Sequence, residues 1–188
     1  MKKGIFVMII SAIIVLFIVV NGYRFTPESA AESSAGLSKD FELIDTHEVY
    51  SDTVMLYKSD EQKEYRTVLA SKSGWLYKGY TSTYVSYNSD PVRLVGGMSV
   101  TTENNALTYM SILSMDENVS YIEAGIEPYV RRQEVSKGER ISFLFPFSEQ
   151  LENLNPVAYD ANGNKLYYFG YPKNTNEFSD KDYKWHEF

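Results

Sequence analysis

The chain has 188 residues, no cysteine, a formal net charge of −7 and an aromatic content of 15%. Without cysteine there are no disulfides, thiolate metal sites, cysteine nucleophiles or lipid-modified cysteine, so packing alone must hold the fold. With Lys2 and Lys3 set aside, 16 of the 18 basic side chains remain against 25 acidic ones, a balance of −9. That balance argues against nucleic-acid binding and against a polybasic face on anionic lipid.

Met1-Lys2-Lys3-Gly4 precedes an uncharged apolar run from Ile5 to Val20. With Gly4 and residues 21–23 the run approaches the roughly 20 residues that cross a 30 Å hydrocarbon core. The lysines place the leading end in the cytoplasm and the rest of the chain outside, with Tyr23 at the outer headgroup level. The expectation is one transmembrane helix within residues 1–25, its partner the lipid bilayer through residues 5–20. The rival is a signal peptide cut after Gly22, which would make the protein secreted. Lys3-Gly4 before an apolar helix is also similar to a type IV prepilin leader. The glutamate expected five residues after that glycine is replaced by Ile9.

Residues 26–39 are small and polar and read as an extended or loosely ordered linker, with a short helix as an alternative that the composition permits but does not force. From Asp40 the pattern becomes strands. Val54–Tyr57 and Tyr65–Ala70 read as a hairpin, and Trp75–Tyr87 as a long strand bent near Gly79. Gly96-Gly97 marks a bulge. Residues 106–115 suit a short helix or a strand, with Thr108, Tyr109 and Ile112 favouring the strand, and 119–124, 127–134 and 140–147 read as further strands. In the last of these Ile141, Phe143, Phe145 and Phe147 share the core face. Leu151 to Leu154 suits one helical turn. Asn162-Gly163 is a hairpin signal between Val157–Tyr159 and Lys165–Phe169. Residues 173–188 read as a polar tail, or as a strap packed through Trp185 and Phe188.

The expected fold is all-β, mainly antiparallel and sandwich-like, with an extracytoplasmic domain over 40–172. Residues 119–171 resemble the second half of an immunoglobulin-like or transthyretin-like sandwich. Met1-Lys2-Lys3-Gly4 with its apolar run, Gly74-Trp75-Leu76-Tyr77 and Ala158-Tyr159-Asp160-Ala161-Asn162-Gly163 resemble features of small, N-terminally membrane-anchored extracytoplasmic proteins of Gram-positive bacteria. That resemblance implies location and brings neither an activity nor site residues.

The chemistry-bearing residues are few. His47 and His186 lie outside any nucleophile-elbow context. Two histidines and no cysteine cannot furnish a transition-metal site. Asp160, Asn162 and Asn164 alternate like the start of a calcium loop, but no bidentate Glu closes it, and a hairpin turn accounts for the same residues. Glu123, Glu127, Glu134 and Glu139 are the carboxylates available for glycoside hydrolysis. Arg131, Arg132 and Arg140 form a basic spot that is expected to pair with the domain's own carboxylates. The ligand-binding candidates are Trp75, Tyr77, Tyr80 and Tyr84, whose rings suit stacking on a ligand or cross-strand packing. The function expected is a non-enzymatic interaction domain of the cell envelope, without cofactor, binding an envelope protein or cell-wall polymer. The alternatives are an envelope enzyme or accessory subunit using carboxylates, and a pilin-like structural subunit.

Overall fold

The computed structural model describes residues 2–102, 105–177 and 179–188. Helix α1, Lys2–Val20, forms over the apolar run and is 19 residues long. At 1.5 Å per residue it covers about 28 Å, just under a 30 Å hydrocarbon core. Among the described residues no helix is long and apolar enough to cross a membrane, so the expected transmembrane helix is not found: the apolar run forms a helix, but one that falls short of a span. Asn21 and Gly22, the latter at φ 80°, turn the chain into the short strand β1, Tyr23–Arg24.

Within the expected linker the short helix that the composition permits does form, as α2, Pro27–Ala35. Its start signals are local. Thr26 Oγ1 accepts the Ser29 N–H at 3.2 Å, and Pro27 occupies the first turn, where its missing N–H costs nothing. Gly36 closes the helix in the left-handed conformation. What makes α2 structural rather than a spacer is its smallness. Ala30 and Ala31 are buried in a cluster with Met55, Tyr57, Val68 and Ala70. A composition too poor to form a core alone packs here because alanine lets the helix backbone come close to a sheet.

That sheet contains β1, β2 (Glu42–Val49), β3 (Asp52–Ser59), β4 (Glu64–Ser73) and β5 (Leu76–Ser86). Its order is β1-β5-β4-β3-β2. Gly79 lies within β5 and marks a close approach rather than the expected bend. A Cβ built there would overlap Ser34 and lie 2.9 Å from the Ala30 carbonyl oxygen.

Two further antiparallel sheets complete the fold. One contains β6 (Val92–Thr101), β7 (Ala106–Ser114) and β10 (Arg140–Phe145), in the order β10-β7-β6. The register of β6 on β7 shifts between Leu94 and Gly96, just before the glycine pair. The other contains β8 (Tyr121–Ala124), β9 (Arg131–Glu134), β11 (Val157–Tyr159), β12 (Lys165–Gly170) and β13 (Lys184–Glu187), in the order β13-β12-β11-β8-β9. One core joins their inner faces: Met110, Ile112, Ile141, Phe143 and Phe145 meet Ile122, Ala124, Ala158, Phe169 and Trp185. Each such large side chain contributes about 1.5–3 kcal/mol on burial. The strand expected over 127–134 is shorter, because Pro128 has no N–H to give a ladder. The expected polar tail contributes β13, paired to β12 with Phe169 opposite Trp185. The buried indole turns that polar stretch into a strand, since its ring supplies the apolar surface its neighbours lack.

The folded chain divides into two compact units. One comprises residues up to Gln62 with Thr67–Ser82, the other Lys63–Arg66 with Thr83–Phe188. The first has the thin alanine-rich core under α2, and the second has the aromatic core.

The close seat of α2 makes a double-substitution prediction. Gly79→Ala should destabilise the first unit by about 1–3 kcal/mol through overpacking. Adding Ser34→Gly should restore part of that loss, giving a coupling of about 0.5–3 kcal/mol in urea unfolding followed by circular dichroism. Strictly additive costs would mean that the helix does not approach so near.

Candidate functional site

The junction after α1 is built from the residue upward by Arg24. Its Nη1 donates to the Val19 carbonyl at 3.0 Å and to its neighbour Tyr23's carbonyl at 2.8 Å. Its Nη2 donates to Ser33 Oγ at 2.7 Å. One guanidinium therefore gives the Val19 carbonyl, which also accepts the Gly22 N–H at 3.1 Å, a second donor in the last turn of α1, where the helix dipole favours a cation, and ties that turn to α2. Asn21 adds a bond from Nδ2 to the Phe17 carbonyl at 2.7 Å. Pairing of Tyr23 with Lys78 and of Arg24 with Tyr77 then fastens β1 to β5.

Two large apolar rings stand in the open beside this junction. Gly74, at φ 63°, turns the β4–β5 connection and leaves Trp75 at its tip, 68% exposed. Phe25, 60% exposed, lies against it with ring centroids 5.6 Å apart. Lys78 Nζ sits 5.5 Å from the centre of the Tyr23 ring. The described side chains of α1 from Ile5 to Val20 are also exposed apart from Ile18, which is half-buried, and no face of the helix is polar.

The four aromatic candidates do not form one platform. Trp75 occupies the hairpin tip with Phe25. Tyr77 is half-buried against the alanine-rich core, with Lys72 Nζ 5.8 Å from its ring centre. Tyr80 and Tyr84 are exposed, as the alternation of β5 requires. Arg66 lies 5.6 Å from the Tyr84 ring centre. Phe25 is absent from the sequence candidates. The signal for it is Tyr23-Arg24-Phe25 directly after the apolar run, where an aromatic and a cation are expected at a bilayer boundary.

The candidate calcium residues form a self-contained turn. Asp160 Oδ1 accepts from the backbone of Asn162 at 2.9 Å and of Asn164 at 2.8 Å, and Oδ2 accepts from Asn164 Nδ2 at 2.8 Å. The Asn164 side chain and then its backbone N–H hold the Asp160 carboxyl below the usual range. Among the described residues no group of three or more His, Asp or Glu is placed to hold a metal ion.

A cleft of about 400 Å³ is lined by Glu117, Val119, Ser120, Glu134, Lys137 and Glu139, among others. Its carboxylates have partners. Glu134 accepts from Arg132 Nε and Nη2, Glu139 from the Ser136 N–H at 2.8 Å, and Glu117 lies 3.8 Å from Lys137 Nζ. The basic spot is dispersed in the same way. Arg132 stacks over Tyr121, Arg131 lies 5.6 Å from the Phe145 ring centre, and Arg140 donates to Ser111 and Ser142.

Other polar pairs act as struts. Tyr167 donates to Asp116 at 2.8 Å; burial first, and that bond second, push its hydroxyl up to about 12. Tyr183 donates to Glu152 at 2.6 Å and is raised for the same reasons in the same order. His186 Nε2 lies 3.0 Å from the Gly170 carbonyl and 2.8 Å from that of Asp182, bracing β13. His47 Nε2 meets Asp45 at 2.8 Å. Comparison of the chain with protein-family models, curated proteins and solved structures finds no match.

Two measurements test this geometry. Arg24→Ala should raise the rate of limited proteolysis between residues 20 and 26, because α1 and α2 lose their common clasp; an unchanged rate would show the clasp to be idle. For Asp160, a folded pKa below its unfolded value near 3.9 means its contribution is present above that value and lost as pH falls through the lower one. Thermal melts between about pH 2 and 5 should therefore show a shallower acid decline for Asp160→Asn than for the parent chain.

Proposed function

We propose that the chain is a bilayer-anchored, extracytoplasmic interaction module of a cell envelope, without catalytic activity. Supporting this reading above all is the apolar surface of α1, exposed around the helix and followed at once by an aromatic and cationic junction. Such a helix is costly in water, and each of its larger side chains is worth about 1.5–3 kcal/mol when removed from it. A helix somewhat shorter than the hydrocarbon core is accommodated by local bilayer thinning and interfacial anchors. The charges of Lys2 and Lys3 favour the cytoplasm for that end and the outside for the β-rich units.

The displayed part would bind an envelope protein or cell-wall polymer through its outer faces, with Tyr80 and Tyr84 as exposed aromatic contacts. Two sheets around one core support a sandwich reading of the second unit, and residues 119–171 keep the immunoglobulin-like or transthyretin-like reading. The resemblance to anchored extracytoplasmic proteins of Gram-positive bacteria belongs to the same proposal. The carboxylate-enzyme alternative would use Glu134 and Glu139 in the 400 Å³ cleft. Their engagement by Arg132 and by a backbone N–H favours a structural role. A pilin-like subunit would call for a helix running on into the domain, whereas α1 stops at Val20.

Cell fractionation tests the anchor. The chain should sediment with membranes, resist alkaline carbonate and be released by detergent, and protease added to intact cells should digest the β-rich units. Recovery in the soluble fraction with α1 still attached would overturn the proposal.

A further inference from the structure

We infer that the Phe25–Trp75 pair, with Tyr23 and Lys78 beside it, is a lipid-contact collar that seats the first unit directly on the headgroup region of the membrane. This rests on the anchoring reading of α1 and adds to it an interaction surface.

The connection between α1 and the sheet is short. Only Asn21 and Gly22 separate α1 from β1. The guanidinium of Arg24 reaches back to the Val19 carbonyl, so β1 lies within one side chain's length of the last helical turn. A flexible spacer would let the domain float at a distance, but this junction has no slack. Whatever medium surrounds the last turn of α1 therefore lies close to the next residue, Phe25.

The chemistry of the surface matches a lipid boundary. Phe25 and Trp75 are large apolar rings that bury little of themselves in the protein, although each belongs to an ordered segment. The indole has an apolar body and one N–H, the combination enriched where hydrocarbon gives way to headgroups. The Tyr23 ring and the Lys78 ammonium supply a second amphipathic pair, able to meet lipid phosphate while their apolar parts remain low. A sugar or peptide ligand would call for polar groups converging around the rings. The partners of the adjoining Arg24 are instead the protein's own carbonyls and Ser33, consistent with a seat rather than a pocket.

The seat also changes what the domain can reach. With α2 packed on the sheet rather than extended as a spacer, the first unit would meet partners close to the bilayer.

Tryptophan fluorescence tests the collar, because the other indole, Trp185, is buried in the second unit. The intact chain is reconstituted into vesicles of phosphatidylcholine and phosphatidylglycerol carrying a spin label either near the headgroup or deep in the acyl chain. Flotation of the vesicles reports anchoring, and quenching reports the collar. The expected result is co-flotation together with loss of the Trp75 share of the emission, greater with the shallow label than with the deep one. That loss should be absent in Trp75→Phe, and Phe25→Ser should shift the remaining Trp75 emission to the red. Co-flotation with Trp75 unquenched and open to aqueous iodide would overturn the collar and leave anchoring standing. Failure to float would overturn both.

Discussion

An α-helix with apolar side chains on every side has no orientation in which water covers only its polar groups. That constraint governs how α1 relates to everything after it. Its described side chains are largely exposed apolar groups, while the remainder of the chain is acidic and polar. The transition between these two surfaces is made in two residues and braced by the Arg24 guanidinium. The sharpness of that junction distinguishes this architecture from a domain swinging on a tether.

The first unit illustrates how little apolar surface can organise a segment when geometry allows close approach. Helix α2 offers alanines and serines, and β5 offers Gly79. Their backbones come near enough that Ala30 and Ala31 are buried although neither is large. The second unit uses the opposite device. Phe143, Phe145, Phe169 and Trp185 fill the space between two sheets, and tyrosine hydroxyls meet carboxylates at its edges. One unit depends on fit and the other on volume, so substitutions of the same size should be felt differently in each.

The aromatic content serves several purposes that composition alone cannot separate. Tyr121 and Tyr159 stack nearly parallel, with Arg132 over Tyr121. Tyr168 packs beside His186 and Phe188. These are packing contacts within the third sheet. Trp75 and Phe25 form a ring pair left in the open. Tyr77 lies on the inward-facing set of β5, whereas Trp75 belongs to the turn before that strand begins and so escapes its alternation. Neighbours in a string of aromatics can thus have unrelated roles.

Much of the strand framework was legible in the residues. The alternation through Ile141, Phe143 and Phe145, the Asn162-Gly163 turn and the glycine pair at 96–97 each carry a local signal, because period, positive φ and bulging act over a few neighbours. The apolar run after Lys3 likewise determines a helix with no polar face. What the tertiary structure decided depends on partners distant in the chain. The stretch 27–35 becomes a packed helix because Gly79 leaves room for it, and 184–187 becomes a strand because Trp185 finds the core beside Phe169. The four candidate rings divide among a tip, a core and two exposed positions because strand direction and the seat of α2 choose their sides. Local preference acts through backbone torsions, which each residue carries with it. Burial is a property of the surface that residue meets, and only the folded chain supplies that surface.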